Sequence, residues 1–204
     1  MSTLSAQARI AFAAIDGCRI VELVESDIAV VQQFYDANPQ YSQTVFSRPP
    51  RPGDAHDDFY DRPPAEFPQG VKRLLGFAAA DDELLGVAEI VTDLFANSVW
   101  HIGLFIVATN QHGNGLAGRL YQAIEAEMHA RGACWLRLGV VKGNLRGERF
   151  WLRCGFSQVR LRDNVSIGEM QHSLHVMMKP LSGGSVTEYL ALVERDRPPD
   201  NALA

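Results

Sequence analysis

The spacing of apolar positions changes several times along the chain, and each change marks an element. Residues 18–26, CRIVELVES, alternate as the first strand of a half-buried sheet does. Ser26 and Asp27 then stand where a helix cap is favoured. Ile28, Val31, Phe34 and Tyr35 fall on one face of the helix that follows, which Pro39 ends. From 39 to 70 the pattern breaks. Pro49, Pro50, Pro52, Pro63, Pro64 and Pro68 alternate with Tyr41, Phe46, Phe59, Tyr60 and Phe67, which predicts a loop without long helices. Ordered loops of that length either pack onto the surface or line a binding site.

Between residues 71 and 110, three apolar runs are separated by Asp81-Asp82-Glu83 and Ala96-Asn97-Ser98, the punctuation of an antiparallel meander. Leu116, Leu120, Ile124 and Met128 then recur every fourth residue, with Glu125, Glu127 and His129 off that stripe and Gly132 placed to end the helix. ACWLRLGVV (133–141) reads as a strand, and Asn144 caps a helix that stops at Gly155. FSQVRLRDN and HSLHVMMKPL form a terminal hairpin, and TEYLALVER a short last helix. This order predicts an α+β fold with a mixed, largely antiparallel central sheet, helices on its faces and one crossover. The division expected is a leader over 1–17, a single domain over 18–181 and a C-terminal extension over 182–204.

Composition narrows the function. With 204 residues, 47% hydrophobic and 21% charged, the chain can bury a sizeable core. A formal charge of −5 provides no basic field for a nucleic-acid backbone and favours a small or cationic partner. Cys18, Cys134 and Cys154 are widely spaced, without a C-x-x-C or a His/Cys cluster, so neither a metal site nor a disulfide framework is expected. The first 21 residues are interrupted by Arg9, Asp16 and Arg19, unlike a signal peptide, and no apolar run is long enough to span a bilayer. These features point to a soluble, cytoplasmic protein that uses no membrane.

The stretch ATNQHGNGLAGRL carries glycines at 113, 115 and 118 between a strand and a helix. Free N–H groups at a helix N-terminus, with no side chains in the way, form an anion cradle. A dinucleotide fingerprint is excluded, because it should follow the first strand of a βαβ unit and be answered by an acid after the next strand, which here ends LGVVKG. A Walker loop is excluded because no Gly-Lys-Ser/Thr closes it.

Together, VATNQHGNGLAGRL and, one strand later, NLRGERFWLRCGF resemble the GNAT superfamily of acetyl-CoA-dependent N-acetyltransferases, best over residues 84–160. Its pyrophosphate loop is written Q/R-x-x-G-x-G/A and its next helix N-x-x-A-x-x-F-Y-x-x-x-G-F. The resemblance implies a GNAT-like fold with acetyl-CoA or coenzyme A as co-substrate. It implies that the amides of His112, Gly113, Asn114, Gly115, Leu116, Ala117 and Gly118 surround the pyrophosphate, with His112 where the family has Gln or Arg. Phe105 and Val107 match positions whose backbone pairs with the pantetheine arm, and Asn144 matches an asparagine across the cleft that bonds that arm. As a residue, Asn144 is equally a helix cap. Trp151 occupies the place of a tyrosine often proposed to protonate the leaving thiolate, and indole is no useful acid. Arg119, Arg146 and Arg149 are further candidates for the phosphates, or simply a solvated helix face.

The reaction so implied is direct attack of a primary amine, of a small molecule or a peptide, on the thioester carbon through a tetrahedral intermediate. An alkylammonium with pKa near ~10.4 must lose a proton first. Two groups are candidate bases: His101, eleven residues before His112 on the central strand, and Glu89, a carboxylate in the apolar strand LLGVAEIV. An amide near Val107 would meet the oxyanion. Tyr41, Asp57, Asp58 and Tyr60 are available for a cationic acceptor. Trp151 and the two-way choice of base also leave open an acyl-CoA-binding module without turnover. No motif names the acceptor, and a homodimer is compatible with everything above.

Overall fold

The computed structural model describes residues 4, 9–15 and 17–199. Eight strands form one sheet: β1 (Arg9–Ile15), β2 (Cys18–Glu22), β3 (Lys72–Ala78), β4 (Leu84–Val91), β5 (Val99–Val107), β6 (Trp135–Val141), β7 (Ser157–Ile167) and β8 (Met170–Pro180). Their order across the sheet is β1-β2-β3-β4-β5-β6-β8-β7. Every pairing is antiparallel except β5 with β6, which are joined through helix α4 (Leu116–Ala130). The fold is therefore α+β with a mixed, largely antiparallel sheet, as the hydrophobic pattern predicts.

Neighbouring positions on the inner strands feed opposite cores. Ile20, Leu75, Phe77 and Ala88 pack under α4 and α5 (Leu145–Arg153). Val21, Leu74, Val87, Leu104 and Ile106 pack under α1 (Ile28–Ala37) and α3 (Asp54–Tyr60). A sheet covered on both faces explains near-continuous apolar runs such as LLGVAEIV. The α4 stripe Leu116, Leu120, Ile124 and Met128 is buried along its whole length, and Gly132, at φ 102°, ends it in a conformation that glycine adopts freely.

Three expectations need correction. The proline-rich segment 39–70 is not simply a loop: it holds α2 (Gln40–Phe46) and α3, each seven residues long. Pro39 ends α1 and also stands at the start of α2, where its missing N–H costs nothing. Residues 9–15, assigned to a leader, form β1, which pairs with β2, so Cys18 begins the second strand. The segment 182–204 contains α6 (Val186–Leu192), whose Tyr189 is fully buried beside Trp135, Val176 and Met178 of the sheet.

Candidate active site

The β5–β6 pair does not stay paired. Its register runs from Val99↔Trp135 to Ile102↔Leu138 and stops, although β5 continues to Val107 and β6 to Val141. Beyond that point the strands diverge and open a cavity of about 930 Å³, lined on one side by Gly103–Val107 and on the other by Leu138–Val141. The backbone edge of β5 facing this gap has no strand partner among the described residues. An extended ligand arm can add there as a strand would.

At one end of the gap lies the glycine loop. Gly113 and Gly115 have φ of 87° and 83°, the left-handed region where a side chain would be strained, and Gly118 opens onto empty space. Gly113, Gly115, Ala117 and Gly118 line the cavity at the first turn of α4. Leu116 and Asn114 do not. The Leu116 side chain is core, and Asn114 braces the loop: its Oδ1 accepts the Leu116 N–H at 2.9 Å and its Nδ2 donates to Gln111. His112, where the family motif has Gln or Arg, turns back so that Nε2–H donates to the Val107 carbonyl at 2.9 Å. The ring fastens loop to strand and occupies the carbonyl of one of the two residues expected to pair with the arm. Asn38, at the end of α1, accepts from Thr109 N–H at 2.7 Å and anchors the same loop from below.

Across the gap, Asn144 Oδ1 accepts the Gly147 N–H at 3.0 Å, which is the capping geometry, while its side chain also lines the cavity. The absence of a Cβ at Gly147 makes this fit, because one there would approach Asn144 Nδ2 to 2.8 Å. Phe105, Phe150 and Trp151 form an aromatic group with Tyr121. Phe105 stacks on Phe150 at 5.7 Å, and Trp151 meets Tyr121 edge-on at 5.4 Å. Trp151 is buried and serves the core. Of the arginines, Arg146 lines the cavity and Arg149 does not; Arg119 donates to the Asn114 carbonyl beside the loop, and Arg153 lines the cavity unforeseen.

The two candidate bases stand in different surroundings. Glu89 pairs with Leu104 while Ile90 pairs with Ile102, so Gly103 is an extra, unpaired residue, a β-bulge at the mouth of the fork. The Glu89 carboxylate fills the space beside it: a Cβ on Gly103 would overlap Oε1. Oε2 accepts from Lys72 Nζ at 2.7 Å, and Lys72 also donates to the Asp61 carbonyl. Nearby, Tyr35 O–H donates to Asp58 at 2.7 Å. Burial, strengthened by Glu89, raises the Asp58 carboxyl to about 6 against the pull of the Tyr35 bond. Tyr41 lines the cavity, whereas Asp57 and Tyr60 face solvent.

His101 also lines the cavity, but its Nδ1 accepts from Arg137 Nη1 at 3.3 Å, which leaves the proton on Nε2. Burial and the neighbouring Arg137 cation draw its pKa down to about 3. Arg137 is itself held by Asp196 through two bonds of 2.7 and 2.9 Å, and Tyr189 O–H donates to the same carboxylate at 2.7 Å. Gly103, Arg137 and Arg162 line the cavity and Lys72 pairs with Glu89, and sequence reasoning passed over all four. A glycine inside a strand and a charged residue in an apolar run were the available signals.

Among the described residues, no helix is long and apolar enough to cross a membrane, and no group of three His, Cys, Asp or Glu side chains could hold a metal. Comparison with curated protein sequences finds no match. Solved structures with the same fold include an acetyltransferase from Thermus thermophilus (16% identity, 83% of this chain and 100% of that one, TM-score 0.63). Another is the spermidine N-acetyltransferase of Vibrio cholerae in complex with CoA and spermine (16%, 82% and 98%, 0.62). A third is the ribosomal-protein-S18-alanine N-acetyltransferase of Escherichia coli (14%, 83% and 97%, 0.57). At these identities the likeness is one of fold. The family model described as Acetyltransferase (GNAT) family matches residues 30–156, a span that includes the forked strands, the glycine loop and the Asn144 helix. The chain therefore belongs to the GNAT acetyltransferase family, and is an acyltransferase.

Proposed function

We propose that the protein transfers an acetyl group from acetyl-CoA to a primary amine by direct attack, with Glu89 as the base. The observation that carries this reading is the fork: strands that separate after Ile102 and Leu138, with a glycine loop at one end and a bulge at Gly103. The cavity fits coenzyme A by its chemistry. The open β5 edge suits the amides of the pantetheine arm, and the first-turn N–H groups of α4 together with Arg146 suit the pyrophosphate. Asn144 would present its Nδ2 to the arm while its Oδ1 remains on the cap.

Acetyl-CoA supplies the activated thioester, and the chain's own groups do the rest. Glu89 Oε1, beside the bare Cα of Gly103, takes the proton of the incoming ammonium directly or through one water. N–H groups on the open edge of β5, from Gly103 to Val107, are donors for the oxyanion as attack proceeds. His101 is not assigned this role, because its Nδ1 lone pair is engaged by Arg137 and its affinity for a proton is low. Trp151 offers no acid, so the thiolate, with an intrinsic pKa near ~8.5, leaves unassisted or takes its proton from solvent.

Two measurements test this reading. Coenzyme A should raise the melting temperature, since a ligand of the native state stabilises it, and acetyl-CoA should be consumed with at least one amine from a broad panel. A melting shift without transfer to any amine would favour a binding module that lacks turnover.

A further inference from the structure

Beyond the fork, the acceptor side of the cavity is closed by α2 and the β7–β8 hairpin, which meet where His172 Nε2 donates to the Val45 carbonyl at 2.6 Å. On the neighbouring β6–β8–β7 part of the sheet, four arginines from distant parts of the chain lie close to one another: Arg137 on β6, Arg160 and Arg162 on β7, and Arg195 after α6. Among the described residues one carboxylate answers them. Asp196 is spent on Arg137. Of the carboxylates on the same segments, Asp163 bonds Ser173 on the exposed side of the hairpin and Glu194 pairs with Arg197. Among the described residues Arg160 reaches only the Arg195 carbonyl, at 2.6 Å, and Arg195 lies over the rings of Phe67 and Phe95. The Nε atoms of both are buried without an acceptor among the described residues.

Arg162 is half-buried and is the member of this group on β7 that reaches the cavity. It lines the cavity, and its guanidinium forms no hydrogen bond or ion pair among the described residues. Burial and the neighbouring cations hold it below the ordinary arginine range. His101 adds an Nε2–H at the same wall. In a chain whose formal charge is −5, like charges thus lie together and two of them, Arg137 and Arg162, line the cavity, at an energetic cost that an anion there would relieve.

We propose that the acceptor is an amine that also carries a carboxylate, bound by the planar fork of Arg162, with its amine directed toward Glu89. The guanidinium geometry matches a carboxylate with two parallel bonds. Arg162 in the cavity wall, with Glu89 beside the lining residue Gly103 and already paired with Lys72, then selects an amine that carries its own anion, against the polyamine bound by the Vibrio cholerae neighbour. This inference rests on the acetyl-transfer reading above.

The test compares free α-amino acids and short ω-amino acids with their carboxamides, spermidine and O-phosphoethanolamine at saturating acetyl-CoA. The carboxylates should exceed their carboxamides by at least ~10-fold in kcat/KM, the scale of one charge-assisted bond. Arg162→Gln should erase that difference and Arg162→Lys should restore part of it, with the coenzyme A melting shift confirming that both variants are folded. Equal rates for acid and carboxamide, a preference for spermidine, or activity confined to O-phosphoethanolamine would each overturn the proposal. If no amine is acetylated, the acetyl-transfer reading fails. The anion site then stands or falls on whether any of the same free amino acids raises the melting temperature of the parent chain and not of Arg162→Gln.

Discussion

Glu89 and Gly103 face each other across the β4–β5 pair, the carboxylate occupying the volume a side chain on Gly103 would need. Glu89→Gln should lower kcat/KM by about 100-fold or more, the usual range for a positioned base. Gly103→Ala, which leaves the carboxylate intact but displaces it, should give a smaller loss in the same direction. Coenzyme A melting shifts should be retained in both. Full turnover in Glu89→Gln would remove the proposed base.

Asp58 carries a cost that a substitution can expose. Its folded pKa of about 6 lies above the unfolded value near ~3.9, so the native state holds the extra proton and stability falls as pH rises through that window. Asp58→Asn keeps an acceptor for Tyr35 and should stabilise the protein by about 1–3 kcal/mol at pH 7, with no gain at pH 4. Urea unfolding at the two pH values measures this, and equal effects at both would show the carboxylate is not strained.

Asn144 caps α5 and is proposed also to hold the cofactor's arm, and two substitutions separate the two roles. Asn144→Ala removes the cap and should cost about 1 kcal/mol of stability. Asn144→Asp keeps an acceptor for the Gly147 N–H but has no amide to donate, so it should melt close to the parent while raising the KM for acetyl-CoA. An unchanged KM in both variants would reduce Asn144 to a cap.

Asp196 ties the C-terminal segment to β6. Its environment would raise its pKa by burial alone, but the bonds from Arg137 outweigh that and hold it below the ordinary carboxylate value. Its stabilisation is therefore present above about pH 4 and lost as pH falls further. Asp196→Ala leaves Arg137 buried without its counter-ion and should destabilise by about 3–5 kcal/mol, read as a lower unfolding midpoint in denaturant. A change below about 1 kcal/mol, the scale of an exposed pair, would show that the segment past α6 contributes little to the fold.

His101 acts on stability in a different window. It is neutral when folded and gains a proton when unfolded between about pH 6.5 and 3, so stability declines as pH falls through that range. His101→Gln should flatten this part of the stability–pH curve, and an unaltered slope would place the proton sensitivity elsewhere.

Much of this protein is local and could be read along the chain. The α4 stripe, the glycines that must turn at positive φ, the Asn144 cap and the alternation of the inner strands depend on neighbours three or four residues away, or fewer. They determine the elements, the family likeness and the glycine-loop end of the cavity. Two short helices in 39–70 escaped because Pro49 and Pro50 lie between them, and a proline beside a helix disrupts nothing.

Tertiary structure alone decided the proposed acceptor end. Lys72 meets Glu89 because β3 and β4 pair in one register, and a single-residue bulge puts Gly103, which lines the cavity, beside Glu89 Oε1. Arg137 and Asp196 are 59 residues apart, and Arg162 joins them only because β8 lies between β6 and β7. Spacing along the chain carries no trace of such contacts. Strand pairing is non-local, and it gives a lone charged residue either a buried partner or an open cavity.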